Sequence, residues 1–178
     1  MIDKGLLHLY TGNGKGKSTA AAGLALRMAG NGFRVFFSQF LKNTPSGEID
    51  AFKQFDGLVT VCRPFMRHKA FIWNQTPEQQ EASAIDLASG WDLIRNKLSD
   101  SSIRLFVFDE LLDVIGMGFI QEENVREALR KRHPEAEVVL TGRQASEAMI
   151  GMADYVTQMV MVKHPFEAGA KARRGVEY

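Results

Sequence analysis

Along this chain, short continuous apolar runs alternate with segments whose apolar residues recur every three or four positions. The runs Leu6 to Thr11, Phe33 to Phe40, Leu58 to Cys62, Ile103 to Phe108, Glu137 to Thr141 and Tyr155 to Val162 read as strands. A strand buried on both faces has no polar side to alternate with, so continuity is the expected signature. Helical patterns lie between these runs. Ser18 to Ala29 is closed by Gly30-Asn31-Gly32, a stop signal. Thr76-Pro77-Glu78-Gln79 opens another helix, with threonine as N-cap, proline first and glutamine third. That helix carries Ala84, Leu87, Ala88, Trp91, Ile94 and Leu98 on one face. Gln121 to Arg132 has acids early and bases late, matching a helix dipole, and Ala145 to Gly151 reads as a short helix. The alternation predicts an α/β fold, a mostly parallel sheet with helices on both faces, in a single domain over residues 1–178. Arg63 to Gln75 is a long irregular stretch of the kind that often carries function. The tail from Lys163 to Tyr178 is polar and aperiodic.

The densest chemistry lies between the first strand and the first helix, in Gly12-Asn13-Gly14-Lys15-Gly16-Lys17-Ser18-Thr19. Three glycines let successive backbone N–H groups turn toward an anion, and the positive end of the helix adds to the attraction. Lys17 supplies a cation for phosphates and Ser18 a hydroxyl for Mg²⁺. A P-loop binding a nucleoside triphosphate with Mg²⁺ is therefore expected. The generic pattern G-x-x-x-x-G-K-[ST] would put its first glycine where Thr11 stands, and Gly12 comes one residue later. Asp109-Glu110 closes an apolar strand, the place for a carboxylate that holds Mg²⁺ directly or through water, and either residue qualifies. Thr141-Gly142-Arg143 follows another strand. Arg143 is either within reach of a phosphate or a solvated surface residue.

Composition narrows the partners. A formal net charge of +1 gives no bulk attraction to nucleic acid or to a membrane surface. One cysteine, Cys62, rules out an intrachain disulfide and fits a reducing cytoplasm. His8, His68, His133 and His164 are scattered and form no metal-ligand pattern with Cys62. The opening Met1-Ile2-Asp3-Lys4 shows no signal-peptide pattern. The stretch from Ile103 to Ile120 is interrupted by Asp109, Glu110 and Asp113, too polar to cross a bilayer. His8, Cys62 and Trp91 read as structural residues.

Four segments together carry a resemblance: TGNGKGKSTAA (Thr11 to Ala21), FDEL (Phe108 to Leu111), TGR (Thr141 to Arg143) and VKHPFEAGAKARRGVEY (Val162 to Tyr178). They resemble the ATP:corrinoid adenosyltransferases of bacterial cobalamin synthesis and salvage, over nearly the whole chain, and the shortened glycine loop is this family's own form. The resemblance implies a RecA-type P-loop fold and a homodimer. It implies transfer of the 5′-deoxyadenosyl group of ATP to the cobalt of a reduced corrinoid, with triphosphate leaving and a separate reductase supplying electrons. It also implies that ATP lies reversed in the loop, its γ-phosphate where an α-phosphate usually sits. In such a site Gly12 through Thr19 and Arg143 hold ATP, Lys17 and Glu110 act in catalysis, and Ser18 with Asp109 or Glu110 holds Mg²⁺.

The family's Phe-x-Trp pair, which helps displace the lower axial ligand of the cobalt, is matched by Phe71-Ile72-Trp73. On physical grounds, too, a phenylalanine and a tryptophan close together in a loop form an apolar wedge able to cover a large flat ligand; the alternative is that they pack on the core. Arg67-His68-Lys69 is more basic than the family pattern, and Ile72 replaces a residue that is often polar. The sequence is also read as lacking an N-terminal extension that some members use near the corrinoid. Lys171, Arg173 and Arg174 are either site residues of the family-like tail or a solvated charge run. Two other classes stay open at this level: a P-loop kinase or ATPase, and a non-catalytic ATP-binding regulator.

Overall fold

The computed structural model describes residues 4–42, 45–55, 57–64, 67–68, 70–165, 169 and 172–176. Its sheet has six strands: β1 (Leu7–Thr11), β2 (Arg34–Gln39), β3 (Val59–Cys62), β4 (Ile103–Asp109), β5 (Glu137–Thr141) and β6 (Tyr155–Gln158). Their spatial order is β3-β2-β4-β5-β1-β6, and every pairing is parallel. The helices are α1 (Lys17–Gly30), α2 (Gly47–Phe52), α3 (Pro77–Ile94), α4 (Leu111–Gly116), α5 (Glu122–Arg130) and α6 (Glu147–Met152).

Alternate strand residues divide the core into two layers, as the period of two requires. Leu7, Leu9, Phe36, Phe106, Phe108, Val138 and Leu140 meet Leu87 and Trp91 of α3, Leu111 of α4, Val125 of α5 and Met149 of α6. Val35, Phe37, Leu105, Val107 and Val139 meet Phe52 of α2 and the buried alanines 21, 22, 25 and 29 of α1. The sheet is thus covered on both faces, the architecture of the P-loop class. Trp91 is core, edge-on to Phe108 with ring centroids 5.5 Å apart. The start of α3 is the capping box that the sequence predicts: the Gln79 N–H donates to Thr76 Oγ1, and the Thr76 N–H donates to Gln79 Oε1 at 3.1 Å.

Four elements depart from the sequence pattern. Helices α2 and α4 are only six residues each, too short for a periodicity to register. A 3₁₀ turn, Ile72–Asn74, lies within the irregular stretch. The last strand ends at Gln158, not at Val162. Its partner β1 ends at Thr11 and turns into the glycine loop, so the ladder has nothing to continue on. The Met159 N–H still donates to the Thr11 carbonyl at 2.8 Å, but the Met159 carbonyl accepts from the Gly14 N–H at 2.7 Å. Beyond it Val160 and Val162 are exposed. Lys69 and Lys171 lie outside the described residues.

Candidate active site

The carboxyl ends of β1, β2, β4 and β5 converge on a cleft of about 520 Å³, the position where open parallel sheets bind ligands. The loop after β1 forms one wall. Gly12 has φ +99°, and a Cβ added there would collide with the Met159 carbonyl. Gly14 is equally confined, with 2.7 Å between an added Cβ and the same oxygen. The segment after β6 therefore buttresses the loop from behind, and only glycine fits against it. Lys17 Nζ folds back over its own loop, donating to the Gly12 carbonyl at 2.6 Å and the Gly14 carbonyl at 2.8 Å. Burial pulls the Lys17 pKa below the ordinary lysine value, Arg143 adds to this, and Asp113, Asp109 and Glu110 work against it.

The opposite wall comes from β4 and β5. Strand β5 lies between β1 and β4, and its last residue ties the acidic pair down. Thr141 Oγ1 donates to Asp109 Oδ1 at 2.7 Å and accepts from the Glu110 N–H at 2.8 Å. Asp109 is wholly buried, and Gln39 Nε2 donates to its other oxygen at 3.2 Å. Lys42 Nζ stands 3.7 Å from that same oxygen and 3.5 Å from Glu48 Oε1. Asp109 lies behind the cleft wall, whereas Glu110 lines the cleft. The backbone explains the difference. Glu110 has φ +65°, the one non-glycine residue with positive φ among those described, so the chain turns sharply between strand and α4. Such a conformation is costly for a side-chain-bearing residue and concentrates at functional sites.

Glu110 Oε2 is buried without a hydrogen-bond partner. Burial, reinforced by Asp109, pushes the Glu110 carboxyl up to about 7, against the pull of Lys42. Asp113 is also raised by burial, opposed by the Arg143 N–H, which donates to Asp113 Oδ1 at 2.8 Å. The pH consequence of Glu110 has a definite sign. Between pH 4.5, its unperturbed value, and about 7 the folded chain holds a proton that the unfolded chain has released. Its contribution to stability is complete below pH 4.5 and is lost as pH rises through about 7. Above that, the buried charge costs roughly 3 kcal/mol, at about 1.4 kcal/mol per pH unit of displacement. Glu110→Gln is therefore expected to raise the melting temperature at pH 8 by several degrees and to change it little at pH 5, without nucleotide or metal. Parallel pH profiles for the two proteins would refute this.

Of the residues singled out from sequence, Asn13 to Thr19, Glu110 and Arg143 line this cleft, while Gly12 and Asp109 shape it from behind. Phe71 and Trp73 line a second cleft of about 290 Å³, together with Leu41, Ile72 and Met117, and it shares Lys42, Glu110, Asp113 and Arg143 with the first. The two rings are stacked, with centroids 4.8 Å apart and planes within 6°, and are 54% and 66% exposed. They are not core; Ile72 between them is buried in their place. Sequence reasoning missed Lys42, Asp113 and Glu48. Asp113 did show as a charge in an apolar run, three positions beyond Glu110 and hence on its side of a helix. The tail returns to the cleft as well: His164, Gly175 and Val176 line it, and Lys15 Nζ donates to the Val176 carbonyl at 2.9 Å.

A glycine loop between an interior strand and a helix, facing a carboxylate two strands away, defines the P-loop class of α/β protein. The sequence matches the family model described as ATP:corrinoid adenosyltransferase BtuR/CobO/CobP over residues 3–178, and the chain belongs to that family. It is 36% identical to a corrinoid adenosyltransferase of Pseudomonas aeruginosa over 99% of this chain and 85% of that protein. Corrinoid adenosyltransferases of Escherichia coli and Salmonella typhimurium are each 33% identical, over 99% of this chain and 87% of their own length. This membership favours the adenosyltransferase reading over a kinase, an ATPase or a non-catalytic regulator.

Proposed function

We propose that this chain transfers the 5′-deoxyadenosyl group of ATP to the cobalt of a reduced corrinoid, with release of triphosphate. The observation that carries the reading is the pair of clefts: a polar one at the glycine loop and an aromatic-walled one beside it, sharing Lys42, Glu110, Asp113 and Arg143. A triphosphate in the first cleft, reversed as the family resemblance implies, directs its ribose toward the second. Co(I) then attacks C5′, the C5′–O bond breaks, and its electron pair leaves with the triphosphate. The corrinoid supplies the nucleophile, so no side chain need act as one. The protein's part is to stabilise charge growing on the leaving group, through loop N–H groups and Lys17, and to exclude water at the reacting carbon. The route to product is tested by incubation with ATP, Mg²⁺ and chemically reduced cobalamin. Adenosylcobalamin and triphosphate in equal amounts are expected. ADP or orthophosphate as the product would overturn the assignment in favour of a kinase or an ATPase.

Mg²⁺ fits the residues present. Among the described residues no cluster of three or more histidine, cysteine or acidic side chains is poised to hold a metal. That suits a cation that takes one or two protein oxygens and fills its shell with phosphate and water. Glu110, with its unpartnered oxygen in the cleft, and the Ser18 hydroxyl are the ligands we assign; when bound, the ion neutralises charge on the triphosphate. Asp109, with both oxygens engaged, orients Thr141 and through it Glu110. Glu110→Gln should raise the Mg²⁺ concentration for half-maximal rate by about tenfold or more, the usual penalty for weakening a metal site. An unchanged Mg²⁺ requirement would remove Glu110 from the metal site. We further infer a cytoplasmic homodimer served by a separate reductase. No helix among the described residues is long and apolar enough to cross a membrane. Sedimentation equilibrium tests the dimer: a monomer mass would exclude it.

A further inference from the structure

The stack of Phe71 and Trp73 is exposed, so the rings themselves do little to hold their loop in place. The loop is held at helix α3. Gln80, Ser83, Asp86, Leu87 and Gly90 recur at helical spacing and form a stripe, four members of which engage the loop. Gln80 Nε2 donates to the Ile72 carbonyl at 3.0 Å, and Ser83 Oγ donates to Gln75 Oε1 at 2.8 Å. Gly90 lets Pro64 lie directly on the helix, since an added Cβ would come within 2.5 Å of the Pro64 Cβ. Asp86 makes the strongest attachment. Its Oδ1 accepts from Arg67 Nη2 at 2.6 Å, and its Oδ2 accepts from Arg67 Nε at 3.0 Å and from the Arg67 backbone N–H at 2.9 Å. The Asp86 side chain is only 7% exposed. A planar guanidinium gripped by both oxygens, with the backbone N–H added, fixes direction as well as distance.

We propose that Arg67 and Asp86 are positioning residues for the corrinoid step. The pair sets the path of the loop four residues before Phe71, so that Phe71 and Trp73 wall the second cleft opposite Glu110 and Asp113. Neither residue lines either of the two clefts. The proposal rests on the adenosyltransferase reading above. It also gives a use to Arg67, which the family pattern does not explain: the charge is spent within the fold, on Asp86, and not on a ligand.

The test uses full-length Arg67→Ala, Asp86→Asn and Arg67→Lys, with Phe71→Ala as a reference. Each is assayed from Co(II)cobalamin with a reductant present and from preformed Co(I)cobalamin, and each is melted. Displacement of the aromatic pair affects the first assay most. Arg67→Ala and Asp86→Asn should lose about tenfold or more in the Co(II) assay, as displaced positioning groups do, with KM for ATP and the Co(I) rate within about twofold. Arg67→Lys, which keeps the charge without the fork, should recover part of the loss. Equal loss in both assays with a falling melting temperature, or no loss in either, would overturn the proposal. If Phe71→Ala shows the selective loss and Arg67→Ala does not, the positioning role falls while the enzymatic reading stands. A wild-type chain that forms no adenosylated corrinoid removes that reading and the proposal with it.

Discussion

Lys17→Ala is expected to lower kcat/KM for adenosyl transfer by about a hundredfold or more, the usual cost of removing a preorganised charge that stabilises a developing anion. Two features of the site set the size of the effect. Lys17 Nζ is half-buried and lies within the glycine loop itself, where the local dielectric magnifies its charge. The neighbouring Lys15 is exposed and turned to the Val176 carbonyl, so it cannot take over. Lys15→Ala should therefore cost far less. Lys17→Ala loses the two hydrogen bonds to the Gly12 and Gly14 carbonyls as well, so a melting curve belongs with its kinetics. Both the ATP KM and the rate from preformed Co(I) should deteriorate. Kinetic constants like those of the wild type would exclude Lys17 from the triphosphate site.

Phe71→Ala and Trp73→Ala are expected to leave ATP affinity nearly unchanged and to cut the rate from Co(II)cobalamin by roughly tenfold or more. An aromatic contact is worth about 0.5–1.5 kcal/mol on top of the area it buries, and about 1.4 kcal/mol is tenfold in rate, so the two contributions together reach that size. From preformed Co(I) the loss should be much smaller. The pair faces the lower side of the corrin in this reading, where it excludes the axial base and makes the cobalt easier to reduce. Exposure separates this role from packing. Both rings are more than half exposed, so their removal should barely move the melting temperature. Trp91→Ala is the contrast: that ring is 1% exposed, and truncating a buried aromatic costs about 3–5 kcal/mol. If Phe71→Ala lowers the melting temperature and slows both assays alike, the pair is structural and the corrinoid binds elsewhere.

Much of this was legible in the amino-acid sequence, for reasons visible in particular residues. Five of the six strands kept their limits to within about one residue; in β2, β4 and β5 the reason is burial on both faces, which leaves an unbroken apolar run. The glycine loop was legible because backbone geometry demands glycine where Met159 approaches. The division of labour between Asp109 and Glu110 was not legible. It depends on a positive φ at Glu110 and on Thr141, brought alongside by the insertion of β5 between β1 and β4. Lys42 escaped notice because the end of β2 nears the acidic pair only once β2 and β4 lie side by side. The sixth strand was read too long because the apolar run continues through Val160 and Val162, past the point where β1 turns into its loop and leaves them no partner.

The placement of β1 bears on when the enzyme becomes competent during its synthesis. Its two neighbours are the last strands made: Leu7 pairs with Val138, and His8 pairs with Tyr155. The carbonyl that backs the glycine loop belongs to Met159. A chain still emerging from the ribosome has made the whole glycine loop well before β5 and β6, yet the loop then has neither neighbouring strand to anchor β1 nor a buttress behind it. On the adenosyltransferase reading proposed above, nucleotide binding is expected to be a late event, following the exit of residue 159 from the tunnel. ATP should not act as a template for the nascent chain, and ribosome-stalled fragments ending before β6 should fail to bind it.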